Sequence, residues 1–193
     1  MGMEREYKFK ANEALQKAVL DHFYGAVQTF RMATTYYDTP DRRLGALRYT
    51  LRARMENDVC VCTLKTPEKD GARGEWEVKT DSILDAVPVL CKLSNLPELA
   101  FLKEAPLEAT CGARFTRLTK TVRTADCTVE LALDTGILSG GSKEEPLCEI
   151  EAELKEGDRK AFEAFVRELA TAFRLKEEPL SKFRRANRLC QGE

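Results

Sequence analysis

Apolar and charged side chains alternate at a spacing of two in seven separate stretches of this chain. That pattern marks strands whose two faces meet different surroundings. In Glu4-Arg5-Glu6-Tyr7-Lys8-Phe9 the charged set Glu4, Glu6 and Lys8 shares one face while Tyr7 and Phe9 share the other. The scheme returns at 51–54, 61–65, 75–79, 117–123, 129–134 and 149–155. Such a chain folds mainly as antiparallel β, and an ordinary sandwich would satisfy it with apolar faces inward and charged faces in water. The charges, however, are sorted by sign: Glu149, Glu151 and Glu153 share one strand face, Arg52 and Arg54 another. Mixed signs serve solubility equally well. Sorting is what a face needs if one wall is to hold metal and another phosphate.

Helical spacing appears in fewer places. The segment from Asp158 to Arg174 places Ala161, Phe162, Phe165, Leu169, Ala172 and Phe173 on one face, with Gly157 just ahead. Asn12 to Phe23 reads as a helix capped by Asn12, and Ser82 to Leu93 as a helix that Pro88 would break. A shorter helix is expected after Pro179, carrying Lys182 and Arg185 toward Cys190. Turns are expected at Asp70-Gly71, at Gly140-Gly141-Ser142 and near Thr39-Pro40-Asp41. With 193 residues and no linker or repeat, residues 1–193 read as one domain.

Lys plus Arg number 31 against 32 for Asp plus Glu, so no global field draws in nucleic acid or an anionic membrane, and a polyanion site must be local. No apolar leader or run long enough to span a bilayer is visible, which makes the cytoplasm the expected location. The seven cysteines are an odd set with no CxxC pair, and the chain has one histidine, so neither a disulfide framework nor a zinc site is expected. Cys60 and Cys62 read as small apolar fillers on one strand face. His22 falls outside every motif and Trp76 alternates off the charged face, so both read as structural.

A polyphosphate site requires hard carboxylate oxygens for a divalent cation and cationic donors for the phosphate oxygens it leaves unneutralised. Glu4 with Glu6, and Glu149 with Glu151, are carboxylate pairs two apart, which repel unless a cation lies between them. Arg52 and Arg54 offer forked donors; Lys8 and Lys65 offer point charges.

Glu4-x-Glu6-x-Lys8 resembles the ExExK signature of the CYTH group, the triphosphate tunnel metalloenzymes. Further elements follow in that family's order: Tyr36-Tyr37-Asp38-Thr39-Pro40-Asp41, Leu51-Arg52-Ala53-Arg54, Thr63-Leu64-Lys65 and Arg73-Gly74-Glu75-Trp76-Glu77. Arg117, Leu133-Asp134-Thr135-Gly136, the run from Glu149 to Lys155, and Ser181-Lys182-Phe183-Arg184-Arg185 complete the series, so the likeness spans residues 4 to 185. It implies an α+β, mainly β fold: an eight-stranded antiparallel β-barrel forming a tunnel with a charged interior and helices packed outside.

Residue by residue, the resemblance implies metal-binding acids at Glu4, Glu6, Glu149 and Glu151, with Asp134 a fifth, and phosphate-binding bases at Lys8, Arg52, Arg54, Lys65, Arg117, Lys182 and Arg185. Arg114 is the alternative to Arg117. Glu75 is expected to orient a neighbouring base, and Tyr37 is the candidate to pair with Lys8 where water attacks. The cofactor implied is Mg²⁺ or Mn²⁺, and the partner a triphosphate-containing small molecule bound by a monomer or homodimer. Hydrolysis of inorganic tripolyphosphate at its terminal phosphoryl group is the first expectation. Thiamine triphosphate is the second, with Phe30, Tyr49 or Trp76 available to its rings. Cyclisation of ATP by a class IV-type adenylate cyclase, and polyphosphate or nucleotide binding without turnover, are the other readings.

Overall fold

The structure is a computed structural model that describes the backbone of residues 2–67 and 73–191 and the side chains of residues 5–67 and 74–190. The expected turn at Asp70-Gly71 lies outside the described residues. Among the described residues ten strands form a single antiparallel sheet: β1 (Gly2–Glu4), β2 (Glu6–Lys10), β3 (Gln28–Asp38), β4 (Thr50–Glu56), β5 (Val59–Lys65), β6 (Arg73–Lys79), β7 (Glu108–Arg123), β8 (Cys127–Gly140), β9 (Lys143–Gly157) and β10 (Lys176–Glu177). Five α-helices accompany them, α1 (Glu13–His22), α2 (Arg43–Ala46), α3 (Ile83–Ser94), α4 (Arg159–Phe173) and α5 (Lys182–Gln191), with a 3₁₀ helix at Pro97–Lys103.

The hydrogen-bonded order is β1-β6-β5-β4-β3-β7-β8-β9-β2-β10, so the ladder is open rather than the closed barrel expected. Yet β1, which pairs with β6, and β2, which pairs with β9, are one N-terminal segment broken at Arg5 alone. That segment brings the two margins of the sheet to within a residue of each other and curls it around its charged face. Counted as one strand, the segment brings the long strands to the eight expected, and β10 is a two-residue addition.

Two apolar clusters cover the outer face of the curled sheet, as the alternation demands. Phe9, Val129, Leu131, Leu133, Ile150 and Ala152 pack against Phe162, Val166 and Leu169 of α4 and Val19 of α1. Leu51, Cys62 and Leu64 pack against Leu44, Ile83, Val87 and Leu90 from α2 and α3. Helix α4 starts at the Asp158 cap, whose carboxylate accepts from Ala161 N at 2.8 Å, and stops where Arg174 turns left-handed at φ 51°. In α1 the Asn12 cap accepts from Leu15 N at 2.8 Å.

Pro88 does not break α3. An interior proline costs roughly 3 kcal/mol of helix, but Ser82 caps the first turn and Ile83, Ala86, Val87, Leu90 and Cys91 are buried on one face, and such burial stabilises by about 1.5–3 kcal/mol for each large side chain. Tertiary packing wins. The seven cysteines are all free, Cys62 is fully buried, and its Sγ lies 3.9 Å from that of Cys60.

The third cluster lies on the inner face. Cys111, Ala113 and Phe115 of β7, Leu138 of β8 and Leu147 of β9 meet Met32 and Tyr36 of β3, with Ala186 and the partly buried Phe183 and Leu189 of α5 packed on them. The inner face is therefore charged along one half of these strands and apolar along the other, which α5 covers. Two glycines permit the close approaches: a Cβ on Gly140 would fall 2.3 Å from Ala186 O, and one on Gly136 would fall 2.1 Å from Arg114 O and 2.5 Å from Phe115 Cα. Gly136→Ala is expected to destabilise by at least the upper end of the ~1–3 kcal/mol usual for overpacking, because backbone of the adjacent strand has nowhere to withdraw. Urea unfolding checks this, and a variant within about 0.5 kcal/mol of wild type would show that β7 and β8 relax freely.

Candidate functional site

The charged half of the inner face lines a cavity of about 340 Å³. Its bases are Lys8, Arg52, Arg54, Lys65, Arg117, Lys155 and Lys182, and its acids Glu6, Glu56, Glu75, Glu77, Glu130, Glu151 and Glu153. Register explains the convergence. Arg117 of β7 lies opposite Asp134 of β8, Asp134 opposite Glu149 of β9, and Glu151 opposite both Ala132 of β8 and Lys8 of β2. Across the sheet, Tyr36 pairs with Arg52 and Thr34 with Arg54, while Lys65 lies opposite Glu75.

The acid-rich wall centres on Asp134, Glu149 and Glu151, whose ligand oxygens lie within 4.8 Å of one another. Asp134 and Glu149 have fully buried side chains, beneath the cavity rather than on its surface; Glu151 reaches it. Lys182 contacts all three, at 2.7 Å from Asp134 Oδ2, 2.8 Å from Glu151 Oε1, and with Glu149 Oε1 as the third partner. Arg117 forks onto Asp134 with both bonds at 2.7 Å and also reaches Glu151 Oε2. Burial pushes Glu149 up to about 7, with Lys182 opposing and the neighbouring Glu151 adding to the rise. Burial acts the same way on Glu151, but Lys182 and Arg117 outweigh it and hold that carboxyl well below its ordinary value. Gln16 braces the floor from α1, donating to Asp134 O at 3.0 Å and Glu149 O at 2.9 Å.

On the opposite wall Glu75 lies 3.2 Å from Lys65 and 3.7 Å from Arg52, and Arg54 is held by Glu56 through Nε at 2.8 Å. Burial and the adjacent Arg52 press the Arg54 guanidinium below its ordinary value, against the pull of Glu56. The wall thus presents three cationic side chains, each oriented by a carboxylate, to a partly desolvated space where charge-assisted hydrogen bonds are strong. Lys8 lies 2.9 Å from Glu6 on the rim between the two walls.

Lys8, Arg52, Arg54, Lys65, Arg117, Lys182, Glu6, Glu75 and Glu151 line the cavity, and Asp134 and Glu149 sit directly under Lys182. Arg114 is exposed and pairs with Glu144, which leaves Arg117 as the inward arginine. Glu6 lines the cavity and pairs with Lys8 but stands apart from the three-carboxylate cluster. The side chain of Glu4 lies outside the described residues; its backbone belongs to β1 and pairs with Arg73 of β6, whereas Glu6 in β2 pairs with Glu153 of β9. Arg185 does not line the cavity. It donates to Glu149 Oε2 at 3.1 Å and to Glu145 Oε1 at 2.7 Å, holding the cluster from behind.

Tyr37 is corrected as well. It lies on the outer face of β3, packed with Leu51 and Cys62 in the α3-side core, and Tyr36 is the tyrosine that faces inward. Burial raises the Tyr37 phenol above its ordinary value. Tyr37→Phe is expected to leave turnover of any cavity substrate within about twofold, well short of the 1.36 kcal/mol that makes a tenfold change, because the phenol lies outside the cavity; steady-state kinetics check it, and a loss beyond tenfold would return Tyr37 to the reaction. Of the aromatics considered for an organic moiety, Phe30 lines the cavity, whereas Tyr49 and Trp76 belong to the outer core. Glu56, Glu130, Thr34 and Thr119 also face in and were missed. Glu130 sits in a recognised alternating strand, so face parity with Asp134 was the available signal. His22 packs edge-on against Phe23 and Phe173 and does not line the cavity.

The chain matches the CYTH domain across residues 2–186 and belongs to that family. It is 31% identical over 142 residues to an inorganic triphosphatase of Haemophilus influenzae, a match covering 72% of this chain and 39% of that protein. The chain therefore spans well under half the length of that relative. Its fold is shared by HpAC1 of Hippeastrum, described as an adenylyl cyclase with a dominant triphosphatase activity, at TM-score 0.68 and 20% identity over 97% of this chain and 96% of that one. It is shared too by PH1819 of Pyrococcus horikoshii OT3, at TM-score 0.63 and 21% identity over 98% of this chain and 99% of that one. Among the described residues, no helix is long and apolar enough to cross a membrane.

Proposed function

We propose that the protein is a divalent-metal-dependent triphosphatase that hydrolyses inorganic tripolyphosphate at its terminal phosphoryl group. The observation that carries this reading is the cavity itself, with Arg52, Arg54 and Lys65 on one wall and, on the other, Glu151 backed by the buried Asp134 and Glu149. A pure anion binder has no use for the carboxylates. The inorganic triphosphatase among its relatives supports the same substrate.

Asp134, Glu149 and Glu151 offer the all-oxygen donor set that Mg²⁺ or Mn²⁺ prefers, and they fit such a cation. When bound, the metal would polarise the transferred phosphoryl group and help acidify water. The remaining work falls to the chain. Arg52 and Arg54 fork onto non-bridging oxygens, and Lys65, oriented by Glu75, adds a point charge. Arg117 is already committed to Asp134 and Glu151, so its part is to hold those carboxylates in place. Lys8, facing the cavity beside Glu6 and opposite Glu151, is assigned to the phosphate and the attacking water. Catalysis by such a site is positioning plus electrostatics.

The test is product analysis by phosphorus NMR with Mg²⁺ or Mn²⁺ and, separately, tripolyphosphate, thiamine triphosphate and ATP. Metal-dependent release of orthophosphate and pyrophosphate from tripolyphosphate is expected to be the fastest reaction. Faster thiamine triphosphate cleavage would move the assignment to that substrate. Cyclic AMP with pyrophosphate from ATP would make the protein a cyclase, and binding without any product would make it a polyphosphate binder.

A further inference from the structure

Asp134, Glu149 and Glu151 each turn one oxygen toward a common point, and arginines hold their remaining oxygens, with Arg117 also reaching the inward Asp134 Oδ2 at 2.7 Å. Asp134 Oδ1 accepts from Arg117 Nε at 2.7 Å, Glu151 Oε2 from Arg117 Nη2, and Glu149 Oε2 from Arg185 Nη1 at 3.1 Å. The opposite oxygens, Asp134 Oδ2, Glu149 Oε1 and Glu151 Oε1, all meet Lys182 Nζ. The guanidiniums thus fix the carboxylates from outside, and the seat they frame is filled by an ammonium brought in on a separate element, the first residue of α5. Three carboxylates face three cationic side chains, so the cluster is electrically balanced as it stands. A divalent cation added beside Lys182 would face a like charge at contact distance in a buried space.

We propose that Lys182 is a built-in counter-cation that competes with the divalent metal for one seat. In the metal-free protein its ammonium occupies the point on which the three oxygens converge. Metal loading exchanges it out, toward the cavity whose wall it already forms. The exchange has two consequences. The cluster is tolerated without metal, because breaking a buried carboxylate group from its cations is what a protein cannot afford. Loading also makes the cavity more positive, since a doubly charged ion replaces a single charge and Lys182 stays within reach of an anion there. Metal and polyphosphate should therefore favour each other's binding, with Lys182 as the coupling element.

This inference rests on the reading that the carboxylates hold a divalent cation, but not on any hydrolysis. Its experiment accordingly measures binding: Mn²⁺ titrations of wild type and Lys182→Met without phosphate, read by electron paramagnetic resonance of the free ion. Removal of the competitor is expected to tighten Mn²⁺ binding by about tenfold or more, within the range of ordinary coupling energies, and to lower the melting temperature of the metal-free protein. Equal or weaker Mn²⁺ binding by a folded Lys182→Met protein would overturn the proposal. Should that variant not fold, wild type decides: in a titration with diamagnetic Mg²⁺, the ¹⁵Nζ resonance of Lys182 is expected to shift in step with calorimetric saturation. An unmoved resonance at saturation would overturn the exchange. Absence of binding by wild type and variant alike would overturn both the exchange and the metal reading. Tight metal binding with no hydrolysis would sink the triphosphatase assignment alone.

Discussion

Glu151→Gln is expected to lower metal-dependent turnover of tripolyphosphate by about a thousandfold, since a Lewis-acid cation supplies several kcal/mol of charge stabilisation and each 1.36 kcal/mol is tenfold. Glu151 alone of the three clustered acids reaches the cavity surface, and it also joins two of the cluster's three cations, Lys182 through Oε1 and Arg117 through Oε2. Glutamine keeps the size but turns an amide N–H₂ toward one of these cations and removes the charge that balanced both. Breaking a buried pair by changing one partner costs roughly 3–5 kcal/mol, so a lower melting temperature should accompany the loss. The two effects separate experimentally. Turnover measured well below the variant's melting temperature, with circular dichroism showing native fold, reports the site alone. A folded variant with more than a tenth of wild-type turnover would remove Glu151 from the reaction.

Arg52→Ala is the complementary experiment on the opposite wall. Removal of one preorganised donor to a developing oxyanion commonly costs about 100- to 1,000-fold in turnover, and a loss of that order is expected here. Arg52 lines the cavity, and its Nη2 lies 3.7 Å from Glu75 Oε1 and 3.9 Å from Glu77 Oε1. Two acids thus orient the guanidinium beside the cavity it lines. In contrast to Glu151, its loss leaves the carboxylate cluster intact, so Mn²⁺ affinity without phosphate should stay near wild type. A variant that kept full turnover would show that the wall beside Arg54 binds nothing in the transition state. Loss of KM alone, with kcat retained, would reduce Arg52 to ground-state binding.

Much of this architecture was legible because it rests on local rules. Period-two alternation located the sheet, and the outer clusters formed from the apolar parity of the strands at 129–133 and 150–152. Asn12, Ser82 and Asp158 all cap helices, as side-chain chemistry at those positions requires. The Gly140-Gly141-Ser142 turn joins β8 to β9, with Gly141 at φ 57°. Strand β3 went unread because its inward residues, Phe30, Met32, Thr34 and Tyr36, are aromatic, apolar or neutral, so neither parity stands out as the charged one. For the same reason the apolar ends of β7, β8 and β9 fell outside the strands expected. A face that changes from charged to apolar partway along loses the contrast that reveals it.

The sequence by itself determined which residues carry charge on shared strand faces, where the main helices begin, and that acids and bases suited to a triphosphate and a divalent cation occur together. Only the tertiary structure decided which of them meet. Pairing of β1 with β6 and of β2 with β9 gave Glu4 and Glu6, two residues apart in the chain, partners on opposite margins of the sheet. The register of β3 turned Tyr36 inward and Tyr37 outward. The docking of α5 brought Lys182 among three buried carboxylates and placed Arg185 behind one of them. These outcomes depend on contacts between residues far apart in sequence, whose energies of burial and ion pairing are set by three-dimensional neighbours rather than by spacing along the chain.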